Sequence, residues 1–117
     1  MPSQWRHDLN QTASTIPGAV QFDLTRSAQA DLKSIARFTQ ERWGIRQRNT
    51  YLKEIDQVFR TIAKNPMMGR ECDEVREGYR KFPHGGHMIY YKQSGNDLLL
   101  VVRILHVAMD VDAQLGT

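Results

Sequence analysis

The feature that most constrains this chain is the run LLLVVRIL at residues 98–105, in which every position except Arg103 is apolar. A strand that is apolar on both faces belongs inside a sheet that is covered on both sides. The run therefore predicts an internal strand, close to the end of the sequence. It also raises the question of what Arg103 does within that strand and what His106 does directly after it.

Side chains along a strand alternate between its two faces, so Arg103 falls in a row of apolar residues. The opposite face is predicted to hold Leu98, Leu100, Val102 and Ile104. The favoured interpretation of Arg103 is a structural group paired with a carboxylate or with backbone carbonyls, and the alternative is a group that faces an anion or a partner. His106 is a candidate general base, although hydrogen bonding to the tail is favoured; a joint pair with Arg103 requires the strand to end near Leu105.

The hydropathy pattern before this run changes from helical to strand periodicity. A strand over 20–24 is followed by a helix over 28–43, with Ser27 as N-cap and Gly44 at its end. A second helix ends at Asn65 before a proline, and the short link between the helices predicts an antiparallel hairpin. The apolar seam of this second helix is Leu52, Ile55, Phe59 and Ile62.

Two further strands are predicted over 75–82 and 87–92, which gives the order β-α-α-β-β-β. This order defines an α+β fold in which a helical hairpin packs on a twisted antiparallel sheet. The 117 residues suffice for one domain, predicted over 20–117. The polar stretch over 1–19 before it is predicted to be a flexible extension.

The composition limits the classes of function. The net charge of +3 permits an anionic partner without requiring one. Cys72 is the single cysteine, which excludes an internal disulfide and favours a reducing compartment, here the cytoplasm. No stretch approaches the roughly 18 apolar residues that span a bilayer. His84 and His87 flank a Gly-Gly turn, but the other ligands of a zinc site lack a recognisable spacing, so no metal and no cofactor are expected.

Four segments together resemble the RelE/ParE toxin superfamily, and specifically its ParE branch. They are LTRSAQADLKSIARFTQERWG, NTYLKEIDQVFRTIAKNPMMGR, VREGYRKFPHGGHMIYYK and VVRILHVAMDVDAQL. The resemblance implies the same α+β fold and the toxin role in a type II toxin–antitoxin system. It further implies inhibition of DNA gyrase and neutralisation by a ParD-like antitoxin in an even-numbered hetero-oligomer, with operator DNA contacted only through the antitoxin. The RelE branch instead implies ribosome-dependent mRNA cleavage.

The choice between these branches depends on a few residues. A nuclease would use Arg80, Lys81, Arg103 and His106, but no tyrosine or lysine follows Arg103, so the non-enzymatic inhibitor is favoured. An inactive relative that serves only as corepressor is the third possibility. The resemblance suggests an antitoxin-binding set of Arg76, Tyr79, Arg80, Tyr91 and Arg103. His106, Met109 and Leu115 are expected to anchor the tail.

Overall fold

A computed structural model describes residues 21–95 and 98–107 of the chain. The elements are β1 (Gln21–Leu24), α1 (Arg26–Trp43), α2 (Ile45–Lys64), a 3-10 turn (Pro66–Met68), β2 (Arg70–Glu71), β3 (Arg80–His84), β4 (His87–Gln93) and β5 (Leu98–His106). The extension over 1–19 and the tail residues Met109 and Leu115 lie outside the described residues.

The helical hairpin forms as the periodicity predicts. Helix α1 begins two residues before the expected start, because Thr25 rather than Ser27 is the N-cap: its Oγ1 accepts a hydrogen bond of 3.0 Å from the N–H of Ala28. Gly44 separates the two helices with a φ of 97°, a conformation that glycine adopts without strain. The predicted seam of α2 is buried throughout.

The sheet has the strand order β1-β5-β4-β3-β2. Strands β2, β3, β4 and β5 pair antiparallel with one another, as expected. β1 runs parallel to β5, so the sheet is mixed and the prediction of an antiparallel sheet is wrong for this strand. The crossover from β1 to β5 passes through both helices and the rest of the sheet, which permits parallel pairing. Two differences from the expected strands are the later start of β3, at Arg80, and the two-residue strand β2.

A β-bulge in β5 changes which side chains share a face. Arg103 lies opposite Tyr90 and Val101 lies opposite Tyr91, so Val102 is an extra residue in this strand. The alternation therefore shifts by one position beyond the bulge. Ile104 joins Leu99 and Val101 in the main core, and the prediction that it shares a face with Leu98, Leu100 and Val102 is wrong.

Apolar residues form two clusters, one on each face of the sheet. The main core lies between the sheet and the helical hairpin, where the rings of Phe22 and Phe59 meet at 5.5 Å. The smaller cluster on the other face contains Cys72, Tyr79, Tyr90 and Leu105. Burial raises the pKa of the Cys72 thiol, so this residue is a packing group and not a reactive one.

Candidate functional site

Arg103 is held by a carboxylate of α1. Its Nε and Nη2 donate hydrogen bonds of 2.8 and 3.0 Å to the two oxygens of Asp31, which also accepts a bond of 2.9 Å from the N–H of Ile104. This hydrogen bonding raises the pKa of the Arg103 guanidinium above its ordinary value. The favoured interpretation of Arg103, a structural group paired with a carboxylate, is confirmed.

The same end of α1 covers the edge of β5 that β1 leaves unpaired. Beyond β1, the N–H of Thr25 donates to the carbonyl of Val101 at 3.0 Å, and its Oγ1 donates to the carbonyl of Val102 at 2.7 Å. Together with the bond from Ile104 to Asp31, these contacts satisfy backbone groups that a strand would otherwise bond. Arg103 and Asp31 thus belong to the joint between helix and sheet.

Two tyrosines expected at the antitoxin-binding surface lie in the interior. Tyr91 is fully buried; its hydroxyl accepts a bond of 2.8 Å from the N–H of Gly69 and donates one of 2.7 Å to the carbonyl of Pro66. Tyr79 is 9% exposed, within the smaller cluster. The expectation that these rings face a partner is therefore corrected: Tyr91, in β4, and Tyr79, directly before β3, both point into packed clusters.

The Arg80 side chain binds the turn before β2 and the Glu71 carboxylate. It donates to the carbonyl of Gly69 at 2.7 Å and lies 3.3 Å from the Glu71 carboxylate. Lys81, its neighbour in β3, points to the other face because side chains alternate. Arg76 is exposed, in the segment between β2 and β3.

Three histidines meet at the end of the sheet where β3 turns into β4. The Tyr51 hydroxyl lies 2.8 Å from Nδ1 of His87, and the Tyr51 ring stacks on His84 at 5.5 Å. His106, opposite His87 in the pairing of β4 with β5, meets the His87 ring edge-on at 5.7 Å. Burial first, and then the nearby imidazoles, lower the pKa of His87. Among the described residues, no group of three or more metal-ligating side chains is placed to hold a metal ion.

The four residues of the nuclease interpretation do not converge. In the register of the sheet, Arg80 lies opposite Tyr91 and His106 lies opposite His87, so Arg80 and His106 are separated by four positions of β4, about 13 Å. Lys81 faces away from Arg80, and Arg103 is bound to Asp31. β5 also continues to His106, so the condition for a joint site of Arg103 and His106 is not met.

A cationic groove between the helices is the feature that the sequence did not indicate. Its volume is about 340 Å³, and it is lined by Lys33, Ala36, Arg37, Gln40, Glu41 and Arg48. Arg48 donates a hydrogen bond of 2.6 Å to the side chain of Gln40 and so links the two walls. Lys33 and Arg37 are four positions apart, a spacing that places both on one helix face, but such pairs are common on solvated helices.

The tip of the hairpin beyond this groove is apolar and exposed. Trp43 and Ile45, on either side of Gly44, are 65% and 56% exposed. The guanidinium of Arg42 lies 5.4 Å from the centre of the Trp43 ring, a cation–π contact. Cationic side chains next to exposed apolar ones are typical of surfaces that bind proteins.

Comparisons with known proteins agree with the resemblance read from the sequence. Residues 22–111 match the model of the family described as the ParE toxin of the type II toxin–antitoxin system parDE. The chain belongs to the ParE toxin family. Toxin ParE1 of Mycobacterium tuberculosis is 45% identical over 92 residues, which cover 79% of this chain and 94% of that protein. Toxin ParE1 of Caulobacter vibrioides is 34% identical over 95 residues, covering 81% and 97%.

A solved structure of the chromosomal ParDE system from P. aeruginosa shares the fold. The TM-score is 0.65 at 18% identity, over 76% of this chain and 97% of that one. This likeness confirms the predicted α+β class, and the family model and the two relatives confirm the assignment to the ParE branch. This ParE toxin is the toxin component of a type II toxin–antitoxin system. Neither α1 nor α2 is apolar enough to cross a membrane, and the described part of the chain contains no other α-helix.

Proposed function

We propose that this ParE toxin arrests growth by inhibiting DNA gyrase as a binding protein and that it does not cut RNA. The observation that carries this proposal is the bidentate bond between Arg103 and Asp31. In-line RNA cleavage requires cations that converge on one phosphate together with an acid and a base. A guanidinium bound to a carboxylate at the joint between helix and sheet does not supply such a cation.

A supercoiling assay with purified gyrase tests this proposal. We expect the wild-type toxin to inhibit supercoiling, and we expect the double variant Lys81→Ala/His106→Ala to inhibit within a factor of two of wild type. Both substitutions remove chemistry that only a nuclease needs. Cleavage of ribosome-bound mRNA by the pure toxin, lost in this double variant, would contradict the proposal. A toxin that neither inhibits gyrase nor cuts mRNA would fit the inactive corepressor.

We further propose that a ParD-like antitoxin neutralises the toxin in an even-numbered hetero-oligomer in the cytoplasm, and that operator DNA is contacted only through the antitoxin. Its docking site is the groove of Lys33, Arg37 and Arg48, with Ala36 as the floor. A small residue between two helices lets a third helix approach closely, and three cations favour an acidic face on that helix. Of the antitoxin-binding residues expected from sequence, the exposed Arg76 remains a candidate contact at a second place.

Charge-reversal variants distinguish antitoxin binding at the groove from binding at Arg76. We expect Arg37→Glu/Arg48→Glu to weaken antitoxin binding by about 10- to 100-fold, since like charges across an interface cost several kcal/mol in total. Lys53→Glu, exposed on α2 outside the groove lining, is the matched control and should change affinity less than threefold. Calorimetric titration measures both. Equal affinity of the double variant and the control would exclude the groove, and a parallel Arg76→Glu variant tests the second contact.

A further inference from the structure

The tip of the helical hairpin, residues 41–47, is exposed at every position. Trp43, the last residue of α1, and Ile45, the first of α2, are 65% and 56% exposed. A Cβ built on Gly44 between them would meet no atom within 4 Å, so the chain around this tip is open. Neither Trp43 nor Ile45 packs against the main core or the smaller cluster. The fold therefore does not use these two apolar side chains, which are free to contact another molecule.

The positive charge of the chain is concentrated at the same place. Residues 42–48 contain three arginines, Arg42, Arg46 and Arg48, and no acidic residue, which equals the net charge of +3 for the whole chain. Because the chain has 16 basic and 13 acidic residues, the sequence outside this segment is neutral. Within the part of the chain that the structure describes, no carboxylate lies within 4 Å of these three guanidinium groups. An acidic partner would therefore meet charge that the toxin itself leaves uncompensated.

Two of these arginines are held in place before any partner binds. The Arg42 guanidinium lies 5.4 Å from the centre of the Trp43 ring. Arg48 donates hydrogen bonds of 3.1 and 2.9 Å to the side-chain oxygen of Asn49 and one of 2.6 Å to that of Gln40. Side chains that are ordered in the free protein lose less conformational entropy on binding. Tryptophan and arginine are also the residues that most often dominate the binding energy of an interface.

A second pair of exposed apolar residues, in the turn after α2, lacks this free charge. Met67 and Met68 are 69% and 42% exposed. The cation beside them, Arg80, donates to the carbonyl of Met67 at 3.4 Å and lies 3.3 Å from the Glu71 carboxylate. Exposed apolar area alone therefore does not distinguish the hairpin tip, whereas apolar area combined with uncompensated cations does.

We infer that the hairpin tip is the surface with which this toxin binds gyrase. The Trp43 ring and the Ile45 side chain enter an apolar recess of the enzyme. Carboxylates at the rim of that recess bind Arg42 and Arg46. An aliphatic side chain beside the ring favours a protein over a nucleic acid, since a phosphate backbone would leave Ile45 in water. This inference rests on the proposed function, to which it adds the contact surface.

Supercoiling assays with full-length variants test the surface. We expect Trp43→Ser, and separately Arg42→Glu/Arg46→Glu, to raise the toxin concentration for half-inhibition of gyrase by about tenfold or more. Met67→Ser, at an equally exposed apolar position, is the matched control and should change it by less than about twofold. Because the Trp43 ring lies outside both clusters, Trp43→Ser should keep the wild-type Tm, so a loss of inhibition reports a lost contact.

Wild-type toxin in the same assay separates this inference from the proposed function. If the wild type does not inhibit supercoiling, the proposed function fails and the inference fails with it. If the wild type inhibits and Trp43→Ser inhibits equally well, the proposed function stands and the assigned surface is wrong. Immobilised gyrase without DNA should retain the wild type and release Trp43→Ser. Binding to DNA alone that depends on Trp43, without retention on gyrase, would overturn the protein contact.

Discussion

The pair between Arg103 and Asp31 gives the sharpest test of how this fold is held together, because it joins β5 to α1. Asp31→Ala removes the acceptor of three hydrogen bonds, two from the guanidinium and one from the N–H of Ile104. The guanidinium then stays, without a carboxylate, in a place where 21% of its side chain is exposed. Arg103→Met instead removes the cation and keeps an unbranched side chain.

The expected loss of unfolding free energy in Asp31→Ala follows from the number of hydrogen bonds removed and from the partial exposure of the pair. Hydrogen bonds to charged groups contribute about 1.5–3 kcal/mol each, but three bonds to one carboxylate are not additive. Removing one partner of a fully buried pair costs about 3–5 kcal/mol, so partial exposure places Asp31→Ala near the lower end, about 3 kcal/mol. At about 4 °C per kcal/mol for a domain of this size, Tm falls by about 12 °C. Arg103→Met should cost about half as much, because the carboxylate that remains still bonds to Ile104 and reaches water.

The control for this prediction is a second aspartate–arginine pair in the same chain. Asp56 and Arg60 are four positions apart on α2, with 36% of the arginine side chain exposed, so Asp56→Ala should cost no more than about 0.5 kcal/mol. Urea and thermal unfolding of the single variants and of Asp31→Ala/Arg103→Met give the coupling energy. If Asp31→Ala costs no more than Asp56→Ala, the pair is not the joint between helix and sheet that its geometry indicates.

Three further predictions concern single contacts. Gly69→Ala should lower the free energy of unfolding by about 2 kcal/mol, because the added Cβ would overlap the ring and hydroxyl of Tyr91. The control is Gly86→Ala, whose Cβ would meet only the edge of the His106 imidazole. Equal losses of the two variants in urea unfolding would contradict the packing argument. The pKa of His87 is lowered in the folded state, so the contribution of this residue to stability is complete above the ordinary histidine pKa near 6.5 and is lost as pH falls below it. The urea midpoint of the wild type should therefore fall between about pH 7.5 and 5.5, and His87→Gln should make that fall shallower. An unchanged slope would be evidence against this prediction. Thr25→Ala should cost about 1–2 kcal/mol through the lost N-cap and the lost bond to a β5 carbonyl, whereas Thr25→Ser should keep both, as thermal unfolding will show.

The helical half of the fold was accessible from sequence because its core face repeats with the period of the helix. Leu52, Ile55, Phe59 and Ile62 follow that period, and all four are buried. The boundary at Gly44 was equally readable, since a glycine after an amphipathic helix marks its end. In these segments local propensity and tertiary packing favour the same structure, so periodicity alone is sufficient.

The sheet was less accessible because its pairing depends on contacts between distant residues. Parallel pairing of β1 with β5 joins segments at opposite ends of the domain, and two-residue β2 is too short to show alternation. Tyr91 and Tyr79 were assigned to a surface because an aromatic residue in a strand has the same local pattern whether it faces solvent or a core. Only the packing of the loop before β3 and of the turn at Gly69 decides that both are buried.

The bulge at Val102 decides how the site is interpreted, although no pattern in the sequence indicates it. In an uninterrupted strand, Ile104 and Val101 would face opposite sides; the extra residue brings both into the main core. It also leaves the N–H of Ile104 directed at Asp31, and the same carboxylate then takes the Arg103 guanidinium. Because Asp31 is 72 positions away in the chain, no spacing in the sequence indicates this contact. Arg103, one of the cations that a nuclease interpretation needs, is therefore bound in the joint between α1 and β5. The exposed Lys33 and Arg37 lie on the helical hairpin, where they favour a protein partner.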